Sequence, residues 1–247
     1  MQEFSPNLPI DPVKVVLLSS FVDTEVKNGL IHKNIQPIFV HPAKFLNAPE
    51  AAHPDMLFCV AGKGKVICEP SIYLDYVDTF SKQNFTIIKG STFLSCNYPS
   101  NIAYNIARVS KFAFHNLKYT DRIARETFEE EGIRFIHTKQ GYTKCSMCVV
   151  SEKAIITADS SIANAAIREN FDVLKISEGN ISLPGHPYGF LGGASGLISK
   201  NALCMTGTID KHPDIKRILE FLQKYQVKIC YLSDQRVIDI GSILPLF

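Results

Sequence analysis

The sequence contains no apolar run approaching the roughly 18 residues of a membrane-spanning helix, so no membrane partner is expected. It carries little charge of either sign in excess: 26 basic residues against 24 acidic ones leave a formal +2. Neither this balance nor any stripe of basic and aromatic residues offers a footprint for nucleic acid, so no nucleic-acid partner is expected. The opening MQEFSPNLPIDP has two acids and three prolines and lacks the basic-then-apolar layout of a secretion signal. The expected compartment is therefore the cytoplasm, where the seven cysteines stay reduced. No HExxH or HxxxH occurs, and the single CxxC, Cys145 to Cys148, has no second copy. No metal and no cofactor is expected from such spacing.

What is present points to a folded chain. Hydrophobic residues make up 46% and charged residues 20%, enough apolar side chain to offset the entropy of ordering. The 247 residues read as one domain spanning 1–247. Cys59, Cys68, Cys204 and Cys230 sit inside apolar runs and read as small core side chains. The context of Cys145 and Cys148, SMCVV followed by AIIT, reads as strand. Residues three apart on a strand face opposite ways, which argues against a dithiol.

A repeat runs through the chain. Val109-Ser110-Lys111-Phe112-Ala113, Val150-Ser151-Glu152-Lys153-Ala154 and Ile198-Ser199-Lys200-Asn201-Ala202 share one pattern, their serines 41 and 48 residues apart. A weaker copy lies at Val60-Ala61-Gly62-Lys63-Gly64. Each copy separates two short apolar runs and reads as a hairpin turn. After each hairpin comes a helical segment and then a third strand. Helices are predicted from Pro70-Ser71 to about Ser81, over DRIARETFEEEG with Thr120 as cap, from Asp159 or Ser160 to about Asn170, and over DIKRILEFLQKYQ. The first unit lacks its leading strand, and VIDIGSILPL is left over at the other end. Pairing residues 238–246 beside 13–19 closes a ring and removes two exposed edges. The expected fold is α/β: five β-β-α-β units in a pseudo-fivefold closed ring, an α/β propeller.

Five such units closed by a terminal strand resemble the pentein, or guanidine-modifying-enzyme, fold. That superfamily includes dimethylarginine dimethylaminohydrolase, arginine and agmatine deiminases, amidinotransferases and a non-enzymatic ribosome anti-association factor. GYTKCSMCVVSEKAIITAD, GFLGGASGLIS and VIDIGSILPL also resemble an uncharacterised bacterial family of this fold. The resemblance implies a nucleophilic Cys near the C-terminus, a His opening the fourth unit, and acids for the guanidinium. Carried over, the His falls on Thr143, the Cys near Leu244-Pro245 and one acid near Ser100-Asn101. All three elements read as lost. Hydrolysis of arginine, agmatine or methylated arginines is therefore not expected.

The lead-in strands of such a ring converge on its centre, and Asn101, Cys145, Gly193, Ser195 and Asp239 are the candidate ligand-binding residues there. Each has a plainer reading. Cys145 is a core thiol or a reactive one, its pKa then lowered by neighbouring Lys144. Asp239, between two isoleucines, is a structural hydrogen-bond hub or a ligand-holding acid. The glycines from Gly192 to Gly196 mark close backbone approach or an anion cradle. His186, in LPGHPYG, is an exposed loop residue or part of a lid, and His212 is a helix start. The function expected is a small-molecule-binding protein or atypical enzyme with a central pocket; the alternative is a non-catalytic protein-binding scaffold.

Overall fold

The computed structural model describes residues 6–247, so the first five residues of the opening segment lie outside it. Along the chain the elements are β1 (Val15–Ser19), α1 (Thr24–Ile31) and β2 (Gln36–Val40). The second unit is α2 (Pro54–Leu57), β3 (Phe58–Gly62), β4 (Lys65–Cys68), α3 (Tyr73–Lys82) and β5 (Thr86–Lys89). The third is β6 (Ala107–Val109), β7 (Phe112–His115), α4 (Arg122–Glu130) and β8 (Arg134–His137). The fourth is α5 (Thr143–Ser146), β9 (Cys148–Ser151), β10 (Ala154–Thr157), α6 (Ser160–Arg168) and β11 (Asp172–Lys175). The fifth is β12 (Ser195–Ser199), β13 (Ala202–Met205), α7 (Ile215–Lys224) and β14 (Lys228–Tyr231), and β15 (Leu244–Leu246) comes last.

These strands form five three-stranded sheets. In each, the middle strand runs antiparallel to the leading strand and parallel to the third, with a helix crossing between the parallel pair. The first sheet takes its leading strand from the other end of the chain: β15 pairs antiparallel with β1, Val15 opposite Leu246 and Leu17 opposite Leu244. The ring of five β-β-α-β units closed by the terminal strand is present, although the closing pair spans three residues on each side rather than the whole of 238–246.

Local chemistry explains the repeat. The β3–β4 hairpin turns through Gly62, Lys63 and Gly64, all at positive φ, where two glycines avoid the Cβ penalty. The helices hide one face each: α7 buries Ile218, Phe221 and Leu222, and α4 buries Ala124, Thr127 and Phe128. Asp121, not Thr120, caps α4 by accepting from the Ala124 amide at 2.9 Å. Asp159 caps α6 in the same way through Ile162 at 2.8 Å. Ahead of α3, Pro70–Ile72 forms a 3₁₀ turn. Helix against sheet makes the core: Phe58 and Tyr76 meet edge to face with centroids 5.1 Å apart, and Phe80 is fully buried beside them. Cys59, Cys68 and Cys204 are buried as expected, while Cys230 is only half-buried. No described helix is long and apolar enough to cross a membrane.

The expected leading strands are shorter than their apolar runs suggest, and this shapes the centre. Residues 101–106 turn rather than extend, with the Asn105 amide on the Ile102 carbonyl at 2.9 Å. Thr143–Ser146 is a helical turn, not strand, because the Lys144 and Cys145 amides both point at the Asn105 side-chain oxygen, 2.7 and 3.3 Å away. The opposite-face argument for Cys145 and Cys148 therefore fails, since Cys145 precedes β9. Residues 191–194 also turn, and β12 begins only at Ser195.

Candidate functional site

Immediately before each leading strand, a short non-strand segment reaches the middle of the ring. His53 and Asp55 come from the start of α2, Asn105 from the turn before β6, and Lys144 and Cys145 from α5. Gly192 and Gly193 precede β12, and Asp239 and Ser242 precede β15. All of these side chains that carry polar atoms are buried.

Cys145 is the chemical focus. Its Sγ lies 3.0 Å from both oxygens of the Asp55 carboxylate, so the thiol donates there. Asp55 also accepts from Asn105 at 3.1 Å and from the Ser242 hydroxyl at 2.5 Å. Lys144 Nζ donates to that same hydroxyl at 2.9 Å. One cation and one carboxylate thus face each other through Ser242, which offsets the cost of burying both. Lys144 does not activate the thiol as its position in sequence suggests. Burial, reinforced by the Asp55 and Asp239 carboxylates, pushes the Cys145 thiol well above its ordinary range.

Asp239 accepts from the Phe190 amide at 2.8 Å and the Gly241 amide at 2.9 Å. Burial first, then Asp55, raises its pKa to about 7 against the pull of those amides. Burial lowers His53 to about 4, with Asp55 opposing and His186 assisting, so its imidazole is neutral at pH 7. One donor atom each from His53, Cys145 and Asp239 lie within 4.8 Å of one another.

These residues line a cavity of about 220 Å³, walled further by Met56, Tyr142, Leu183 and Phe190. Glu50 and His186 stand in it as a pair, Nε2 to Oε1 at 2.8 Å. The other Glu50 oxygen is buried without a hydrogen-bond partner. His186 therefore belongs to the loop over the cavity and is tied to its wall. A larger depression of about 420 Å³ runs along β2 and α3. Its lining holds no cysteine, and the thiol chemistry lies in the smaller cavity.

Of the five candidates read from sequence, the structure brings Cys145 and Asp239 to this cavity. Asn101 stands behind it, donating to the Tyr142 hydroxyl at 2.8 Å, with its own side-chain oxygen buried and unpartnered. Gly193 abuts Asp239: a Cβ there would sit 2.0 Å from Oδ1. Ser195 turns to the Leu191 carbonyl at 2.7 Å and to Cys148 Sγ, and is not among the lining residues. The glycine run is one of close approach, since the Gly193 amide donates to the Cys145 carbonyl at 2.7 Å. His53, Asp55, Asn105, Glu50 and Ser242 were not read from sequence. The signal for two of them was HPDM before β3, at the same place in its unit as TKCS before β9.

The reading that the Cys, His and acid set is lost needs correction. The carried-over positions do hold Thr143, Leu244 and Asn101, but a cysteine, a histidine and carboxylates meet at the centre from other positions in the ring. Solved structures of the same build include C. jejuni agmatine deiminase, with 10% identity, a TM-score of 0.60, and 100% of this chain and 98% of that chain covered. Dimethylarginine dimethylaminohydrolase from Pseudomonas aeruginosa gives 10%, 0.59, 96% and 100%. An amidinotransferase of saxitoxin biosynthesis from Microseira wollei gives 11%, 0.57, 99% and 99%. Among curated proteins no sequence matches significantly. The fold is that of the penteins. Within it, the chain belongs to a family of unknown function, DUF6873, whose profile matches residues 17–244.

Proposed function

We propose that the central cavity is the active site of an atypical pentein enzyme that uses Cys145 as nucleophile on a small amidinium or guanidinium cation. The observation that carries this reading is a thiol at the wall of a cavity that donates its hydrogen bond to a carboxylate 3.0 Å away. The unpartnered Glu50 oxygen and Asp239 supply acceptors for the N–H groups of a planar cation, and Tyr142 and Phe190 supply flat apolar walls. The neighbours of this fold named above act on such groups, which supports the choice of substrate class.

In the reaction proposed, the Cys145 sulfur bonds to the central carbon as its proton passes to Asp55. The carbon–nitrogen bond then breaks, and the amine leaves with that proton. Water attacks the carbon and gives up two protons as the carbon–sulfur bond breaks, one restoring the thiol and one converting the released amine to ammonium. The sum is an amidinium and water giving an amide and ammonium. Among the described residues no arginine or lysine lines the cavity, so a carboxylate-bearing substrate such as arginine meets no counter-ion from them. The expectation against arginine and methylated arginines now rests on that missing counter-ion rather than on a lost Cys, His and acid set. For cations without a carboxylate, agmatine included, its former ground is gone.

The test is a panel of amidines and guanidines assayed for ammonia release, with Cys145→Ala as the control. Turnover that disappears in the variant supports the reading. Saturable binding without turnover reduces the protein to a binding module. No binding of any cation in the panel refutes it.

A further inference from the structure

The donor set at the centre has a use that goes beyond the thiol chemistry. His53, Cys145 and Asp239 are 4%, 3% and 2% exposed, and they offer one nitrogen, one sulfur and one oxygen within 4.8 Å of one another. They come from the residue that precedes α2, from α5 and from the segment before β15, all held by the ring. We propose that this trio is a binding site for a zinc-class divalent cation, with three protein ligands and a fourth position facing the cavity.

Charge supports the assignment. The Asp55 carboxylate and the Lys144 ammonium already balance each other through Ser242. Once binding displaces the Cys145 proton, the thiolate and the Asp239 carboxylate present two negative charges to the ion, and a dication neutralises both. The ligand types favour zinc-class ions. Thiolate and imidazole disfavour magnesium and calcium, which take oxygen. Geometry is also compatible. Metal–ligand distances of about 2.0–2.3 Å place tetrahedral donors about 3.4 Å apart, so the trio would close by at most about 1.4 Å. Asp239 is already oriented by the Phe190 and Gly241 amides, and Cys145 by the Asn105 side-chain amide, a donor that a thiolate keeps when its contact to Asp55 ends, the kind of outer contact that fixes ligands in such sites. On binding, the metal–sulfur bond replaces the sulfur–hydrogen bond and the proton goes to solvent. Metal and substrate would therefore compete for one sulfur.

The experiment is titration of the purified, reduced, metal-free full chain with cobalt(II) alone, followed by zinc(II). The expected result is one equivalent of cobalt bound with a thiolate-to-cobalt charge-transfer band, which zinc then removes. Cys145→Ser should abolish the band, and His53→Ala and Asp239→Asn should each weaken binding by more than about tenfold. Cys96→Ser, which removes an exposed thiol outside the trio, should change nothing. If one central variant fails to fold, another of the three decides. Absence of a one-equivalent site in the wild type overturns the proposal, as does a band that survives in Cys145→Ser or vanishes in Cys96→Ser.

Discussion

The thiol of Cys145 and the carboxylate of Asp55 are hydrogen-bonded at 3.0 Å although ninety positions separate them in the chain. Two different units of the ring meet in that contact. Asp55 accepts from Cys145, Asn105 and Ser242 at once, so an amide in its place sets donor against donor. Asp55→Asn should therefore cost about 1–3 kcal/mol for the unsatisfied groups. At roughly 2–4 °C per kcal/mol for a chain of this size, the melting temperature should fall by several degrees. Unchanged melting would show that the contact contributes nothing.

Two glycines separate site from scaffold. A Cβ at Gly193 would meet Asp239 Oδ1 at 2.0 Å, whereas one at Gly196 would meet the Ile243 carbonyl oxygen at 1.9 Å. The first clash is with a side chain of the cavity, the second with the backbone leading into β15. Gly196→Ala should destabilise by about 1–3 kcal/mol through overpacking. Gly193→Ala should melt closer to wild type yet displace Asp239 and weaken cation binding. Calorimetry together with cobalt titration tests both, and the reverse ranking would contradict this division.

Ring closure has its own test. Leu244 and Leu246 are 3% and 2% exposed, and together with Pro245 they form all of β15. Burying each leucine contributes about 1.5–3 kcal/mol. Against a total stability typically near 5–15 kcal/mol, losing both is severe. Deleting residues 244–247 should abolish cooperative unfolding in circular dichroism. A truncated chain that melts normally would count against closure as a structural necessity.

His115 gives a pH dependence. It is fully buried, with Nδ1 2.8 Å from the Thr120 hydroxyl and Nε2 3.0 Å from the Ile102 carbonyl. Nε2 therefore donates and Nδ1 accepts, as in a neutral imidazole. Burial lowers the pKa to about 4, against about 6.5 in an unfolded chain. The unfolded state takes up the proton first, so the stability contributed is full above pH 6.5 and is lost as pH falls towards 4. His115→Gln should make the acid limb of stability against pH shallower by about one proton in that window. An unchanged slope would exclude His115 as its source.

A second acid-sensitive tie lies at the start of α7. The Ser177 amide donates to Asp214 at 2.7 Å and Arg217 to it at 2.6 Å; these hold the carboxyl at about 2 despite burial. Its contribution is full above about pH 4 and is lost as pH falls towards 2. Asp214→Asn should cost about 1.5–3 kcal/mol at neutral pH and almost nothing at pH 2. Chemical denaturation at both values checks this.

The hairpins were legible because they are local. Alternating apolar residues around Ser110, Ser151 and Ser199 specify two strands and a turn without reference to the rest of the chain. The helices followed from their apolar faces. The segments between units were not legible. TKCS reads as strand because its neighbours are apolar, and the side chain of Asn105, forty positions away from Cys145, bends it into a helical turn. His53 and Asp55 are hidden for the same reason: nothing near HPDM in sequence reveals that Cys145 and Asp239 stand opposite.

Five short segments ending at one hub give the centre five doors. A chemical role can leave by one door and return by another without moving in space. Here sulfur arrives from the fourth unit, and a serine, Ser242, stands close to where the resemblance placed a cysteine. An address counted along the chain therefore fails to find the reactive atom in this architecture, and an address counted from the axis finds it.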